Sequence, residues 1–343
     1  MPRTTYALAL AAALLAAALA SADTLIVLNK FDATASLIDP ATGAVRATVG
    51  TGIGPHEAAA SPDGKTVVVC DYGGRTPGSS LTIIDLQRAQ TVRRIDLGEY
   101  HRPHGIVFLD DDRVAVTAEA ERALLIVNVR TGVVESAIDT ASRGSHMVAV
   151  TPDGRLAFVA NIGSGSAAVI DLEVGERVKI LETGAGAEGV AAHPVRPEVW
   201  VTNRDADTVS VIDTRSLEVV QTLRAGRFPI RVRFTPDGSR ALVSCAHSGD
   251  VWVYDGATRD AVATIDMDEQ AVGDGDKQMR LFSDQFGESP VPVGILIRPD
   301  GRRAYVANTN ADVVSVIDLD TLKVVDRLRA GREPDGLAWS PLP

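Results

Sequence analysis

The run AYVANTNADVVSVIDLDTLKVVDRLRAGREPDGLAWS, residues 304–340, is the clearest copy of the unit that decides the fold of this chain. Its apolar stretches are short and rich in β-branched residues, which indicates strands at 304–307, 313–317, 324–328 and 336–339. Asn308 and Asp318 end the first two strands, because short polar side chains favour the turns that follow. Four short antiparallel strands in one unit are typical of a β-propeller blade.

The same unit recurs along the chain at a spacing of about forty-two residues, which predicts a ring of blades. The register is marked by the acidic or amide residue that closes an apolar strand: Asp39, Asp85, Asn128, Asp171, Asp213, Asp255 and Asp318. The last interval is 63 residues long, so that repeat contains an insertion. The insertion falls at 266–290, is acidic, and is expected to form a lid or docking loop at one end of the channel.

The run Tyr305-Val306-Ala307-Asn308, with Asp318 ten residues after the Asn and Pro-Asp-Gly turns in four other repeats, resembles the YVTN-type β-propeller repeat. The resemblance covers residues 24–343 and implies an all-β, seven-bladed propeller over residues 23–343, with four-stranded antiparallel blades. It implies no single activity, because that family contains binding proteins, cell-surface proteins, relatives of lactonases and propellers attached to redox enzymes.

The two ends of the chain are expected to share one blade. The segment Thr24–Leu28 matches the second strand of the unit and has no inner strand before it. The segment Gly336–Ser340 is an inner strand with nothing after it. We therefore predict that the C-terminal strand completes the blade begun by residues 24–49, which closes the ring and removes exposed sheet edges.

The N-terminus has the pattern of a secretory signal peptide over residues 1–22, with cleavage near Ala22. Arg3 precedes an apolar, alanine-rich run at 6–20, and small residues follow it. We therefore expect a periplasmic or secreted protein, and because no second apolar stretch occurs, no membrane span. Cys70 and Cys245 fall in distant blades and are expected not to form a disulfide.

The formal net charge is −11, which disfavours nucleic acid as a partner because phosphate backbones are repelled. The expected partners are a small ligand or a periplasmic partner protein. A closed ring can be stable alone, so the chain is expected to be a monomer.

One position of the repeat carries the residues that point to chemistry. It is the residue after the position at the start of the inner strand that proline occupies in five of the seven repeats. In chain order this residue is His56, His104, His146, Glu188, Ile230, Val293 and Asp335. Three successive histidines predict imidazoles that meet over the channel mouth. Imidazole nitrogen binds zinc and copper, so the predicted ligands of a Cu or Zn ion are His56, His104, His146 and Glu188. The further ligand-binding candidates near this mouth are Glu57, His101, Arg143, Arg227, Arg231, Arg332 and Asp335.

Two alternatives remain open at this point. Side chains of an inner strand normally face the neighbouring blade, so the histidines could instead form hydrogen bonds between blades. The chain has no complete catalytic motif, which favours a binding module for a ligand, metal or partner. The alternative is an enzyme at the same mouth, either a metal-dependent oxidoreductase or a lactonase-like hydrolase.

Overall fold

The computed structural model describes residues 23–267 and 285–343. The predicted signal peptide and most of the predicted 266–290 insertion lie outside these residues. The described residues form seven four-stranded antiparallel sheets, so the predicted all-β, seven-bladed propeller is confirmed. Within the described ranges, no helix has the length and apolar character needed to cross a membrane.

The strands follow one another through the blades in chain order, with the innermost strand given first for each blade. They are β28 (Pro334–Ser340), β1 (Thr24–Asn29), β2 (Thr34–Ile38) and β3 (Val45–Gly50) in blade 1; β4 (Pro55–Ala60), β5 (Thr66–Gly73), β6 (Pro77–Asp85) and β7 (Gln90–Asp96) in blade 2; β8 (Pro103–Phe108), β9 (Arg113–Ala118), β10 (Ala123–Asn128) and β11 (Val133–Asp139) in blade 3; and β12 (Ser145–Val150), β13 (Leu156–Asn161), β14 (Ser166–Asp171) and β15 (Glu176–Glu182) in blade 4. The remaining strands are β16 (Ala187–Ala192), β17 (Glu198–Asn203), β18 (Thr208–Asp213) and β19 (Glu218–Arg224) in blade 5; β20 (Pro229–Phe234), β21 (Arg240–Cys245), β22 (Asp250–Asp255) and β23 (Ala261–Asp266) in blade 6; and β24 (Pro292–Ile297), β25 (Arg303–Asn308), β26 (Val313–Asp318) and β27 (Lys323–Arg329) in blade 7.

Blade 1 joins the two ends of the chain, as predicted. Strand β28 pairs with β1 in antiparallel register, with Thr24 opposite Ser340 and Leu25 opposite Trp339. The Thr24 hydroxyl also donates a hydrogen bond to the Leu342 carbonyl at 2.8 Å. The ring is therefore closed by hydrogen bonds between the first and last strands, and each of the seven described blades has four strands.

The core lies between neighbouring blades, because each sheet buries both faces of its middle strands. One apolar cluster, for example, joins Val68 and Leu81 of blade 2 to Val116 and Leu125 of blade 3, all of them buried. Each fully buried aliphatic side chain of this kind contributes about 1.5–3 kcal/mol. Cys70 and Cys245 are both buried and free, so the prediction that they do not pair is confirmed.

The inner strand of every blade contains a shift in pairing register near its start. In β4, Pro55 pairs with Asp71 but Ala58 pairs with Val69, so one extra residue is accommodated between them. The same irregularity recurs in all seven inner strands, β28, β4, β8, β12, β16, β20 and β24. Such bulges redirect side chains out of the regular alternation. They lie at the predicted histidine position and change where that side chain points.

Glycine at the third position of four inner strands lets adjacent blades approach closely. A Cβ added at Gly294 would lie 2.0 Å from the Asp335 carbonyl oxygen, and one at Gly336 would lie 2.3 Å from the His56 carbonyl oxygen. Gly105 and Gly189 are similarly crowded by the His146 and Ile230 carbonyl oxygens, at 2.7 and 2.3 Å. At these four places, the carbonyl group of the second inner-strand residue of one blade therefore packs directly against the glycine of the preceding blade.

Gly294→Ala is expected to destabilise the protein by about 1–3 kcal/mol, because the added methyl group meets the backbone of the next blade and not a side chain that can move. Urea unfolding at equilibrium measures this change. Gly50→Ala is the matched control, since a Cβ there meets no atom within 4 Å. Equal unfolding midpoints for the two variants would show that blades 7 and 1 can move apart to accept the methyl group without loss of stability.

Candidate functional site

The three histidines come together at the axis, as the repeat alignment predicted. The ring centroids of His56 and His104 are 3.8 Å apart, those of His104 and His146 are 3.4 Å apart, and the outer pair are separated by 6.1 Å. They are buried, with exposed fractions of 9%, 0% and 7% in chain order. The imidazoles of successive blades thus stack on one another and are buried, and they do not line an exposed surface.

The remaining members of this inner ring divide the channel into a polar and an apolar part. Glu188 and Asp335 continue the polar part on either side of the histidines, and both are buried. Ile230 and Val293 occupy the other sectors and pack with Phe286 in a separate apolar cluster. The polar members of this inner ring thus lie on five consecutive blades, 1 to 5.

His104, at the centre of the stack, has unmet hydrogen-bonding capacity. A neutral imidazole carries one N–H donor and one lone pair. Neither Nδ1 nor Nε2 of His104 has a hydrogen-bond partner among the described residues, although both atoms are buried. Leaving a buried polar atom without a partner costs about 1–3 kcal/mol. Burial, reinforced by His146 and His56, holds the pKa of His104 well below its usual range, so the ring is neutral and able to act as a ligand.

His56 lies between an ammonium group and a carboxylate. Lys30 Nζ is 2.8 Å from His56 Nε2 and 3.0 Å from Asp335 Oδ2. His56 Nδ1 lies 3.2 Å from the same Asp335 oxygen, in an alignment that does not make a hydrogen bond. Burial lowers the pKa of His56 far below its usual value, and the charges of Lys30 and Arg231 lower it further. His56 is therefore a neutral ring whose Nε2 lone pair accepts from Lys30.

His146 has the opposite electrostatic environment, because carboxylates flank it on both sides. Nδ1 is 3.4 Å from Glu119 Oε2 and Nε2 is 3.4 Å from Glu188 Oε1. Burial lowers the pKa of His146, but the two carboxylates outweigh burial and raise it above the usual value. Burial likewise raises the pKa of Glu188, yet His146, Arg204 and Arg231 outweigh it and lower that pKa to about 2. This end of the stack attracts positive charge.

An ion pair crosses the channel below this ring. Arg231 of β20 donates from Nε and Nη2 to Glu57 Oε1 of β4, at 3.0 and 2.6 Å. Arg231 is 1% exposed, and its Nη1 also lies 3.5 Å from Glu188 Oε1. Both residues were predicted to bind a ligand, but the structure pairs them with each other. The channel is therefore blocked by a buried salt bridge between blades 2 and 6.

A second ring of channel residues was missed by the sequence analysis. Each blade contributes one residue to this ring, the residue directly after Asn29 or after the position equivalent to Asn29 in the second strand of the other blades. In chain order these residues are Lys30, Tyr72, Glu119, Ile162, Arg204, Ala246 and Thr309. Its polar members contact the inner ring; Arg204 Nη1, for example, donates to Glu188 Oε2 at 2.7 Å. An alignment of the repeats at Asn29 and its equivalents would have identified this ring from the sequence.

Tyr72 of this second ring covers the histidines. Its ring meets those of His56 and His104 edge to face, with centroids 5.3 and 5.6 Å apart. Its hydroxyl donates to Glu119 Oε2 at 3.1 Å, and the Arg102 guanidinium lies 4.6 Å above its ring. The histidine stack is therefore separated from solvent by one aromatic side chain and the partly exposed Glu119.

Four predicted ligand-binding residues lie outside the cluster. His101 pairs with Glu121 at 3.0 Å and its side chain is 41% exposed. Arg332 pairs with Asp32 at 2.7 Å, and Arg143 donates to the Gly163 carbonyl, both in exposed positions. Arg227 lines a surface depression together with His247 and Phe286. These four residues are close to the histidines in sequence, but their side chains do not contact the histidines in the structure.

The cluster offers several atoms suited to a metal ion. Ligand atoms of His56, Glu57 and Asp335 all lie within 4.8 Å of one another. His104 adds two buried nitrogens without partners, and His146 adds Nε2. This donor set of imidazole and carboxylate groups suits zinc or copper. It includes the predicted histidines, with Glu57 and Asp335 beside His56 and the predicted Glu188 beside His146.

Comparison with known proteins gives relatives of the same shape. The chain is 26% identical over 193 residues to the YncE proteins of Salmonella typhimurium (strain LT2) and Salmonella typhi, which is 53% of this chain and 47% of each relative. The chain thus spans about half the length of the curated relatives it matches.

Two solved structures share the fold. A chain of Kuenenia stuttgartiensis hydrazine synthase superposes with a TM-score of 0.68 at 20% identity, covering 84% of this chain and 90% of that one. A functionally unknown protein from Desulfotomaculum acetoxidans DSM 771 superposes with a TM-score of 0.74 at 14% identity, covering 92% and 98%. At these identities the likeness concerns the fold alone. The model of the YNCE-like beta-propeller family matches residues 2–122 and 112–275, and the chain therefore belongs to that family.

Proposed function

We propose that this protein is an exported binding module that holds one divalent transition-metal ion, zinc or copper, in its axial cluster. His56, His104 and His146 are the nitrogen ligands, and a carboxylate of the same cluster completes the set. Export is proposed from the N-terminal pattern of residues 1–22. The observation that carries the proposal is the stack of three buried imidazoles in which both nitrogens of the central ring have no described partner.

The charges around the stack do not favour an anion. Four buried or half-buried carboxylates, Glu57, Glu119, Glu188 and Asp335, face four cations, Lys30, Arg204, Arg231 and Arg233. An anionic ligand therefore meets no net attraction. The neutral imidazoles of His56 and His104 supply lone pairs, which a metal ion accepts and an anion does not.

The burial of the cluster favours binding over catalysis. A catalytic metal site keeps a coordination position open to substrate. Here the histidines are at most 9% exposed, Tyr72 lies over them, and the Arg231–Glu57 pair blocks the channel. An organic substrate could reach the imidazoles only if the ion pair and Tyr72 moved. We therefore place the binding module ahead of the oxidoreductase and hydrolase alternatives.

His104→Ala is expected to weaken metal binding by at least about 100-fold, because loss of a direct ligand exceeds the 10–100-fold cost of losing a residue that only supports one. Purified protein is first stripped with a chelator and then titrated with Zn²⁺ and with Cu²⁺ by calorimetry. The expected wild-type result is one ion per chain.

His101→Ala is the matched control, because His101 precedes the same inner strand but pairs with Glu121 outside the cluster. This variant should bind as the wild type does. Circular dichroism of each variant checks that the ring is intact. The proposal fails if the wild type takes up neither ion, or if His104→Ala binds with unchanged affinity.

A further inference from the structure

Lys30 is a buried lysine placed among groups that bind cations. It follows β1 in the second ring, is 7% exposed, and contacts His56 Nε2 and Asp335 Oδ2 through Nζ. Lysine is almost never buried unless it is paired. Lys30 meets this condition, because its Nζ lies 3.0 Å from the buried Asp335 carboxylate.

The ammonium group occupies a position that a metal ion could take. Ligand atoms of His56, Glu57 and Asp335 lie within 4.8 Å of one another, and Lys30 Nζ bridges two of these three residues. The Nε2 lone pair of His56 points at Nζ over 2.8 Å. A metal bound to the same nitrogen would lie about 2.0–2.1 Å from it. One lone pair cannot serve both, so metal and ammonium exclude each other at His56.

We propose that Lys30 is an internal competitor for the metal, which keeps the ion exchangeable and makes the propeller a carrier and not a permanent holder. This inference rests on the proposed function. When the ion binds, it takes the His56 Nε2 lone pair and the ammonium group moves away; when the ammonium group returns, the ion loses a ligand. No covalent bond changes, and the two cations only exchange contacts.

A purely structural role for Lys30 makes a different prediction. If Lys30 served only to neutralise Asp335, its removal would lower the stability of the protein. The metal affinity would then stay the same, or it would fall because Lys30 no longer holds the His56 ring in place. A competitor, in contrast, weakens metal binding as long as it is present. Repulsion between the ammonium charge and a divalent ion a few ångströms away acts in the same direction.

The test compares Lys30→Met with the wild type in a competition titration, in which a chromophoric chelator and the protein share Zn²⁺. We expect Lys30→Met to bind at least about tenfold more tightly, because removing a like charge next to the ion also frees one ligand. Release of Zn²⁺ to excess EDTA should slow by a similar factor. Lys65→Met, on an exposed lysine paired with Asp63, is the control and should change neither quantity. Unchanged or weaker binding by Lys30→Met overturns the inference.

A second pair of variants covers the case in which Lys30→Met does not fold because Asp335 is left unpaired. Asp335→Asn removes that charge, and the double variant Lys30→Met/Asp335→Asn should then bind Zn²⁺ at least about tenfold more tightly than Asp335→Asn alone. Equal affinities would refute competition by Lys30.

The outcomes also separate this inference from the proposed function. If the wild type binds no ion but Lys30→Met binds one that His104→Ala removes, the competition is supported and the wild-type binding function is not. If neither protein binds an ion, the proposed function fails and the inference fails with it.

Discussion

Deletion of residues 334–343 is expected to prevent the protein from folding into a closed ring. The deletion removes β28, the inner strand of blade 1, and leaves β1 as an unpaired edge beside the channel. It also removes Leu337 and Ala338 from the cores on the two faces of that blade. The loss of a whole inner strand exceeds the margin of about 5–15 kcal/mol by which folded proteins are stable.

Thermal unfolding by circular dichroism, together with size-exclusion chromatography, measures this result. The expected outcome is loss of the cooperative transition and association through the exposed edge. Deletion of residues 342–343 is the control, since it removes little more than the hydrogen bond from Thr24 to the Leu342 carbonyl and should cost about 1 kcal/mol. A ten-residue truncation that melts like the intact chain would refute closure of the ring by β28.

The second large effect is expected from Arg231→Met. Arg231 is buried and donates twice to Glu57 from the opposite side of the channel, so its removal leaves a carboxylate buried without its partner. Breaking one side of a buried ion pair costs about 3–5 kcal/mol. Equilibrium urea unfolding measures the change in the free energy of unfolding.

The double variant Arg231→Met/Glu57→Gln should recover most of that loss, because neither residue then carries an unpaired charge. Arg88→Met is the control, because Arg88 forms an exposed ion pair with Asp85 at 2.8 Å, worth about 0–1 kcal/mol. If Arg231→Met costs no more than Arg88→Met, the ion pair across the channel contributes nothing to stability.

The architecture could be predicted from the repeat, and so could the position of the inner ring. Every blade uses the same local pattern, so an alignment of repeats placed His56, His104 and His146 at one structural level of the ring. The structure confirms that they meet. The alignment could not tell whether these side chains face the axis or the next blade, because that depends on the bulge in each inner strand.

The second ring was predictable in principle but was not recognised. Lys30, Tyr72 and Glu119 occupy equivalent positions at the ends of the second strands of blades 1, 2 and 3, but they are chemically unlike one another and so form no visible series. His101 and Arg332 show the converse. They lie near the aligned histidine position in sequence, yet their side chains pair with Glu121 and Asp32 outside the cluster.

The sequence by itself determined the number of blades, the closure of the ring and the level at which the histidines stand. These features follow from a short pattern repeated at fixed spacing, and local residues are sufficient to define them. Only the tertiary structure decided that Arg231 meets Glu57, that Lys30 reaches His56, and that the stack is buried. Those contacts join residues up to 174 positions apart, and they depend on the width of the channel, which no single repeat encodes.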